Sequence, residues 1–148
     1  MFNSFTSFRR VKKDGNCFYR AFGFSIAEQI LKKPSHSSAK QFSSLLIQSK
    51  QFLVESGYDL MAIEDFYDLT IELMTSCKSM QELESMFQEG YQSDAMVCYL
   101  RLVCAAVLKQ NSSFYSMFLE MDVDRFIATQ VEPSKYCPLK SFIQKSVY

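Results

Sequence analysis

Apolar residues along this chain recur at helical spacing almost from the start. Phe18, Ala21, Phe22, Ile26, Ile30 and Leu31 fall three or four apart, and Pro34 closes the run. A second helix is expected from about Ser38 to Ser56, with Phe42, Leu45, Leu46, Phe52 and Leu53 on its apolar face and Gly57 as its stop. A third covers Ile63 to Cys77 through Phe66, Leu69, Leu73 and Met74. Ser79-Met80-Gln81-Glu82 fits a capping box, in which serine and glutamate satisfy free amides at a helix start, and it opens a helix carrying Leu83, Met86 and Phe87. Ser93-Asp94 is expected to cap the longest apolar helix, with Val97, Leu100, Val103, Cys104 and Val107 on its face. Ser112 or Ser113, and then Asp122, open two shorter ones. These stripes read as core. Strand signal is confined to the N-terminal arm, with Phe2, Phe5 and Phe8, and to Ser141–Tyr148.

Composition narrows the picture. At 148 residues, 48% hydrophobic and 22% charged, the chain reads as one globular domain or part of a larger one. Sixteen basic and sixteen acidic residues cancel, so no overall field favours nucleic acid or an acidic membrane surface, and neither is expected as a partner. The basic run Arg9-Arg10-Val11-Lys12-Lys13 reads as a solvated strand edge. Five cysteines at odd count, without C-x-x-C spacing and beside a single histidine, argue against a zinc site and a secreted disulfide framework. No metal or cofactor is expected. The opening MFNSFTSFRR lacks a basic region followed by an apolar core, so no signal peptide is expected. The run from Ala95 to Leu108 is interrupted by Arg101 and is too short to span a bilayer. These features suit a soluble protein of a reducing compartment, the cytoplasm or the nucleus.

The stretch KDGNCFYRAFG, residues 13–23, carries the chemistry. It places Cys17 where a turn rich in Gly and Asn meets the start of a helix. A nucleophilic cysteine acts as its thiolate, which helix-terminal amides and the helix dipole stabilise. The same amides can hold the oxyanion formed when a carbonyl is attacked. On spacing alone, a nucleophile and a half-buried structural cysteine are both open readings.

DGNCFYRAFGFS resembles the nucleophile segment of the otubains, OTU-family cysteine proteases that remove ubiquitin. Ile63-Glu64-Asp65-Phe66, then Ser93-Asp94 with Val97 and Tyr99-Leu100-Arg101-Leu102, then Val131-Glu132-Pro133 resemble further otubain segments in the same order. The resemblance runs from about Val11 to Pro133 and implies a division into an arm (1–10), a partial otubain domain (11–133) and a divergent tail (134–148). It implies an α+β, papain-like OTU fold, of which the part present here is mainly helical and the central sheet largely truncated. It implies Cys17 as nucleophile, Asp14 shaping the oxyanion-hole turn with Gly15 and Asn16, and ubiquitin or polyubiquitin as substrate, with a ubiquitin-conjugating enzyme as a further partner.

The family's catalytic histidine lies in a late strand reading roughly Gly-His-Tyr-x-Ile-Leu-Tyr, which has no counterpart here. Ser134–Tyr148 departs from the family pattern. The one histidine, His36, follows a helix that carries the chain roughly 22–24 Å from Cys17, and the remaining four residues return at most about 14 Å. His36 is therefore expected at the surface. The expectation is an otubain-like deubiquitinase impaired for lack of its general base. A catalytically silent ubiquitin-binding or E2-binding module, and a non-functional truncated product, stand as alternatives. Without its sheet the helical part should expose a large apolar patch.

Overall fold

A computed structural model describes residues 8–34 and 37–132. Among the described residues there are seven α-helices and no strand. They are α1 (Cys17–Lys32), α2 (Ser37–Glu55), α3 (Leu60–Thr75), α4 (Met80–Gln88), α5 (Tyr91–Gln110), α6 (Ser112–Tyr115) and α7 (Val123–Phe126), and a π-helical turn follows at Ile127–Val131. Phe2, Phe5 and Ser141–Tyr148, where strands were expected, lie outside the described residues, and Phe8 is exposed.

Local chemistry explains most boundaries. Gly57 adopts a φ of +91° after α2, and Tyr58 N–H donates to the Leu53 carbonyl at 3.1 Å, so the last turn closes on a left-handed residue. Helix α3 starts at Leu60, three residues before the expected Ile63. The Asp59 carboxylate caps it by accepting from Met61 N–H at 3.0 Å. The Ser79 hydroxyl accepts from Glu82 N–H at 3.2 Å, and the Glu82 carboxylate reaches back to Lys78 N–H at 2.9 Å. The expected capping box is thus present, with its return bond one residue further out.

The expected cap at Ser93 is not one. Helix α5 begins at Tyr91 with Gly90 as N-cap, and Ser93 lies buried inside its first turn. Its hydroxyl is committed to Arg20 and to backbone carbonyls, as described below.

Helix α5 is the axis of the bundle. The expected one-sided face of Val97, Leu100, Val103, Cys104 and Val107 is too narrow: Ala95–Tyr99, Arg101, Leu102, Ala105 and Ala106 are all buried, while Val107 is exposed. A helix buried on nearly every side needs neighbours around it. Helix α3 packs along it, α1 and α4 cover its start, α2 joins the cluster around Tyr99, Leu102 and Ala106, and α7 with the π-helical turn covers the other end through Ala105, Val123, Ile127 and Val131. On α2 the buried positions are Leu46 and Leu53, while Leu45 is exposed.

Helix α1 departs most from expectation. Phe18 and Phe22, assigned to its core face, are 73% and 46% exposed and stack on one another with centroids 6.2 Å apart. The buried line is instead Arg20, Gly23 and Ala27. Gly23 makes the close approach possible. A methyl group there would lie 2.3 Å from the Met96 sulfur, so the absent side chain lets Met96 of α5 lie directly on the α1 backbone.

The basic run is no strand edge either. Arg9 donates to Glu84 of α4 at 2.8 Å and lies over the Phe24 ring at 5.1 Å, and Gln88 donates to the Arg10 carbonyl at 2.8 Å. The segment before the turn is fastened across α1 and α4.

Candidate active site at the Asp-Gly-Asn-Cys turn

Gly15 adopts a φ of +79°, which gives the reversal before α1. Asp14 organises the reversal. One carboxylate oxygen accepts from Asn16 N–H at 3.0 Å, and the other accepts from Arg20 Nε at 3.0 Å and Nη2 at 2.5 Å. Burial pushes the Asp14 carboxyl up, but the bonds from Arg20 and from the Asn16 backbone and side chain, with the Arg20 charge, outweigh it and hold the group down at about 2.

Arg20 is almost fully buried. Besides Asp14, it donates to Ser93 Oγ at 2.7 Å and to the Asp94 carboxylate on α5. Ser93 Oγ in turn contacts the Phe87 and Gly90 carbonyls at 3.3 and 3.1 Å. Burial disfavours the Arg20 charge, yet the two carboxylates more than offset this and keep it protonated above its ordinary value.

Asn16 is equally buried and is held from the opposite side. Its side-chain oxygen accepts from Arg101 Nε at 3.0 Å and Nη2 at 2.7 Å, and its side-chain N–H donates to the Asp14 carbonyl at 3.4 Å. Arg101 Nη1 also donates to the Val131 carbonyl at 2.5 Å and the Gln130 carbonyl at 3.3 Å, with the guanidinium 4.9 Å from the Tyr19 ring centre.

Cys17 is the first residue of α1 and is exposed. Its thiol donates to the Lys12 carbonyl at 3.6 Å, a contact that deprotonation must break. Helix N-termini leave their first amides without intrahelical acceptors, and here the first such bond is Arg20 N–H to the Asn16 carbonyl. Within the turn, Asp14 N–H is used by the Lys12 carbonyl and Asn16 N–H by the Asp14 carboxylate. The N–H groups of Gly15 and Cys17 have no acceptor among the described residues. The arrangement presents an exposed thiol beside two uncommitted backbone donors on a turn fixed by two buried arginines. Such a site is suited to attack on a carbonyl.

A family model described as Peptidase C65 Otubain matches residues 1–136. The chain belongs to the otubain family. It is 35% identical over 130 residues to ubiquitin thioesterase OTUB1 of Homo sapiens, an alignment that covers 84% of this chain and 47% of that protein. Against ubiquitin thioesterase OTUB2 of Mus musculus it is 33% identical over 134 residues, covering 87% and 56%. A solved structure of h/ceOTUB1 with ubiquitin aldehyde and UBC13~Ub superposes with a TM-score of 0.74 at 26% identity, over 86% of this chain and 51% of that one. The chain thus spans about half the length of the relatives it matches. The helical bundle is the helix-rich part of the otubain fold.

Asp14, Gly15, Asn16 and Cys17 lie on the one turn that opens α1. His36 lies outside the described residues, as do Pro133, Cys137 and the tail. Among the described residues no group of three His, Cys, Asp or Glu side chains is gathered as a metal would require, and no helix is long and apolar enough to cross a membrane. Sequence reasoning missed the two arginines. Arg101 left two signals, as the charge that interrupts the longest apolar run and as a member of the Tyr99–Leu102 segment. Arg20 left only its place in the nucleophile segment, because a charged residue on a helix otherwise reads as solvent-facing.

Proposed function

We propose that this chain carries the nucleophile half of an otubain-type thiol hydrolase acting on ubiquitin linkages. The observation that supports it is the exposed Cys17 at the start of α1, beside the uncommitted amides of Gly15 and Cys17, in a chain of the otubain family. The Cys17 thiolate attacks the carbonyl carbon at the ubiquitin C-terminus, and its lone pair forms the carbon–sulfur bond. The carbonyl electrons move onto oxygen, where the two amides receive the oxyanion. Collapse of that intermediate expels the amine, which takes up a proton, and leaves a thioester that water hydrolyses.

The proton carrier in such a site is a histidine, and none lies among the described residues. The 148 residues by themselves are therefore expected to react with electrophiles at Cys17 and to cleave isopeptide bonds slowly. The substrate is ubiquitin or a ubiquitin chain, and a ubiquitin-charged conjugating enzyme is a further partner. Both proposals draw on related structures described as holding ubiquitin aldehyde with UBC13~Ub or UBCH5B~Ub. The working division of the chain is an arm (1–10), the otubain segment (11–133) and a tail (134–148), and the thiols suit a reducing compartment, cytoplasm or nucleus.

The test is incubation of the chain with ubiquitin bearing a C-terminal electrophile, and separately with di-ubiquitin, alongside Cys17→Ala. A Cys17-dependent adduct with little di-ubiquitin cleavage is the expected result. Ubiquitin binding without any adduct would favour a silent binding module, and the absence of both adduct and binding would refute the proposal.

A further inference from the structure

Arg101 occupies an unfavourable place. It is a guanidinium inside the most buried helix of the bundle, and no carboxylate stands among its partners in the described residues. Burying such a charge is costly, and a purely structural position would be filled as well by a methionine or leucine. Its partners come instead from two segments far apart in sequence: the Asn16 side chain in the turn before Cys17, and the Gln130 and Val131 carbonyls that end the π-helical turn. The Tyr19 ring in the first turn of α1 covers its face.

Asn16 converts this hold into backbone geometry. Its φ and ψ are −109° and 17°, and contacts from both sides hold the residue there. Four hydrogen bonds do so: two from Arg101 to its side-chain oxygen, one from its side-chain nitrogen to the Asp14 carbonyl, and one from its N–H to the Asp14 carboxylate. The peptide after Asn16 carries the Cys17 N–H, and the one before Gly15 carries the other uncommitted donor. None of the Arg101 bonds reaches the Cys17 sulfur, whose one hydrogen bond among the described residues is to the Lys12 carbonyl.

We propose that Arg101 is a positioning residue for the oxyanion donors: through Asn16 it sets the direction of the Gly15 and Cys17 amides, and it ties that direction to the segment ending at Val131. The assignment rests on the reading of Cys17 as nucleophile. It separates two reactions of the same thiol. Alkylation by iodoacetamide needs the sulfur alone, whereas addition to an aldehyde creates an oxygen that the amides must receive.

The experiment compares the 148-residue chain with its Cys17→Ala, Arg101→Met and Arg101→Lys variants. It follows iodoacetamide alkylation of Cys17 by peptide mass, and hemithioacetal formation with a short glycinal peptide by carbon NMR. In R101M the aldehyde affinity is expected to fall about tenfold or more, with alkylation changed less than about threefold and the helical circular dichroism retained. R101K keeps the charge and loses the planar fork, so it should not restore aldehyde binding. It also carries the comparison if R101M fails to fold. Wild-type aldehyde affinity in the folded variants, or a parallel loss of both reactions, overturns the assignment. A wild-type chain that is alkylated normally but gives no Cys17-dependent hemithioacetal overturns the nucleophile reading, and the assignment with it.

Discussion

Replacing Asp14 with asparagine tests the arginine-held turn most directly, because its effect should depend on pH in a defined way. The Asp14 side chain is 5% exposed and faces Arg20 at 2.5 Å. Its carboxyl is held at about 2, against an ordinary value of 3.8. That difference corresponds to about 2–3 kcal/mol. Because the folded value is the lower one, the contribution is fully present above the unfolded value and is lost as pH falls from about 4 towards 2. The amide oxygen of the introduced asparagine would still accept from Asn16 N–H, and Arg20 keeps Asp94, so the variant should fold. Urea denaturation from neutral pH down to about pH 2.5 should show D14N less stable by about 2–3 kcal/mol near neutrality. The gap should close as the wild-type carboxylate takes up its proton. A gap that stays constant across the range, or one under about 0.5 kcal/mol near neutrality, would refute the claim that the Asp14–Arg20 pair fastens the turn.

Three further outcomes are expected. Gly15→Ala meets no atom within 4 Å of the added methyl, so its cost is purely conformational, about 1–2 kcal/mol from the left-handed φ, read as a lowered urea midpoint. Glu132 is pushed up by burial, against the Lys109 charge and the Tyr58 hydroxyl. Folding therefore favours its protonated form, and that contribution fades as pH rises through the folded value. Glu132→Gln should raise the melting temperature near pH 7 and leave it unchanged near pH 4. The double variant Phe18→Ser/Phe22→Ser should reduce self-association in sedimentation velocity while changing stability by less than about 1 kcal/mol, because both rings are already largely exposed.

The helices were mostly legible because their ends obey local chemistry. Ser79 with Glu82, Gly57 and Asp122 act where the sequence places them. Faces were harder. Helix α1 carries apolar residues on several sides, so spacing cannot decide which side is buried. The choice falls to Gly23, which admits Met96, and to Arg20, whose charge is accepted inside because two carboxylates await it. Arg20 finds Ser93 and Asp94, and Arg101 finds Asn16, at 73 to 85 residues along the chain, beyond any local pattern. The Cys17 turn was visible as a motif, while the machinery that fixes it was not.

The long sequence reach of those bonds also times the site. Asp14, Asn16 and Cys17 leave the ribosome early, but Arg101 follows Asn16 by 85 residues and the Val131 carbonyl by a further 30. At roughly 5–20 residues per second, some 4–17 s separate synthesis of the turn from synthesis of its clasp. On the proposed reading, the two amides beside the thiol are unfastened over that interval. On the proposed reading of Cys17, closure of the bundle around α5 is the step that sets the two amides, so the assembled helices, and not the turn alone, determine where a carbonyl oxygen is received.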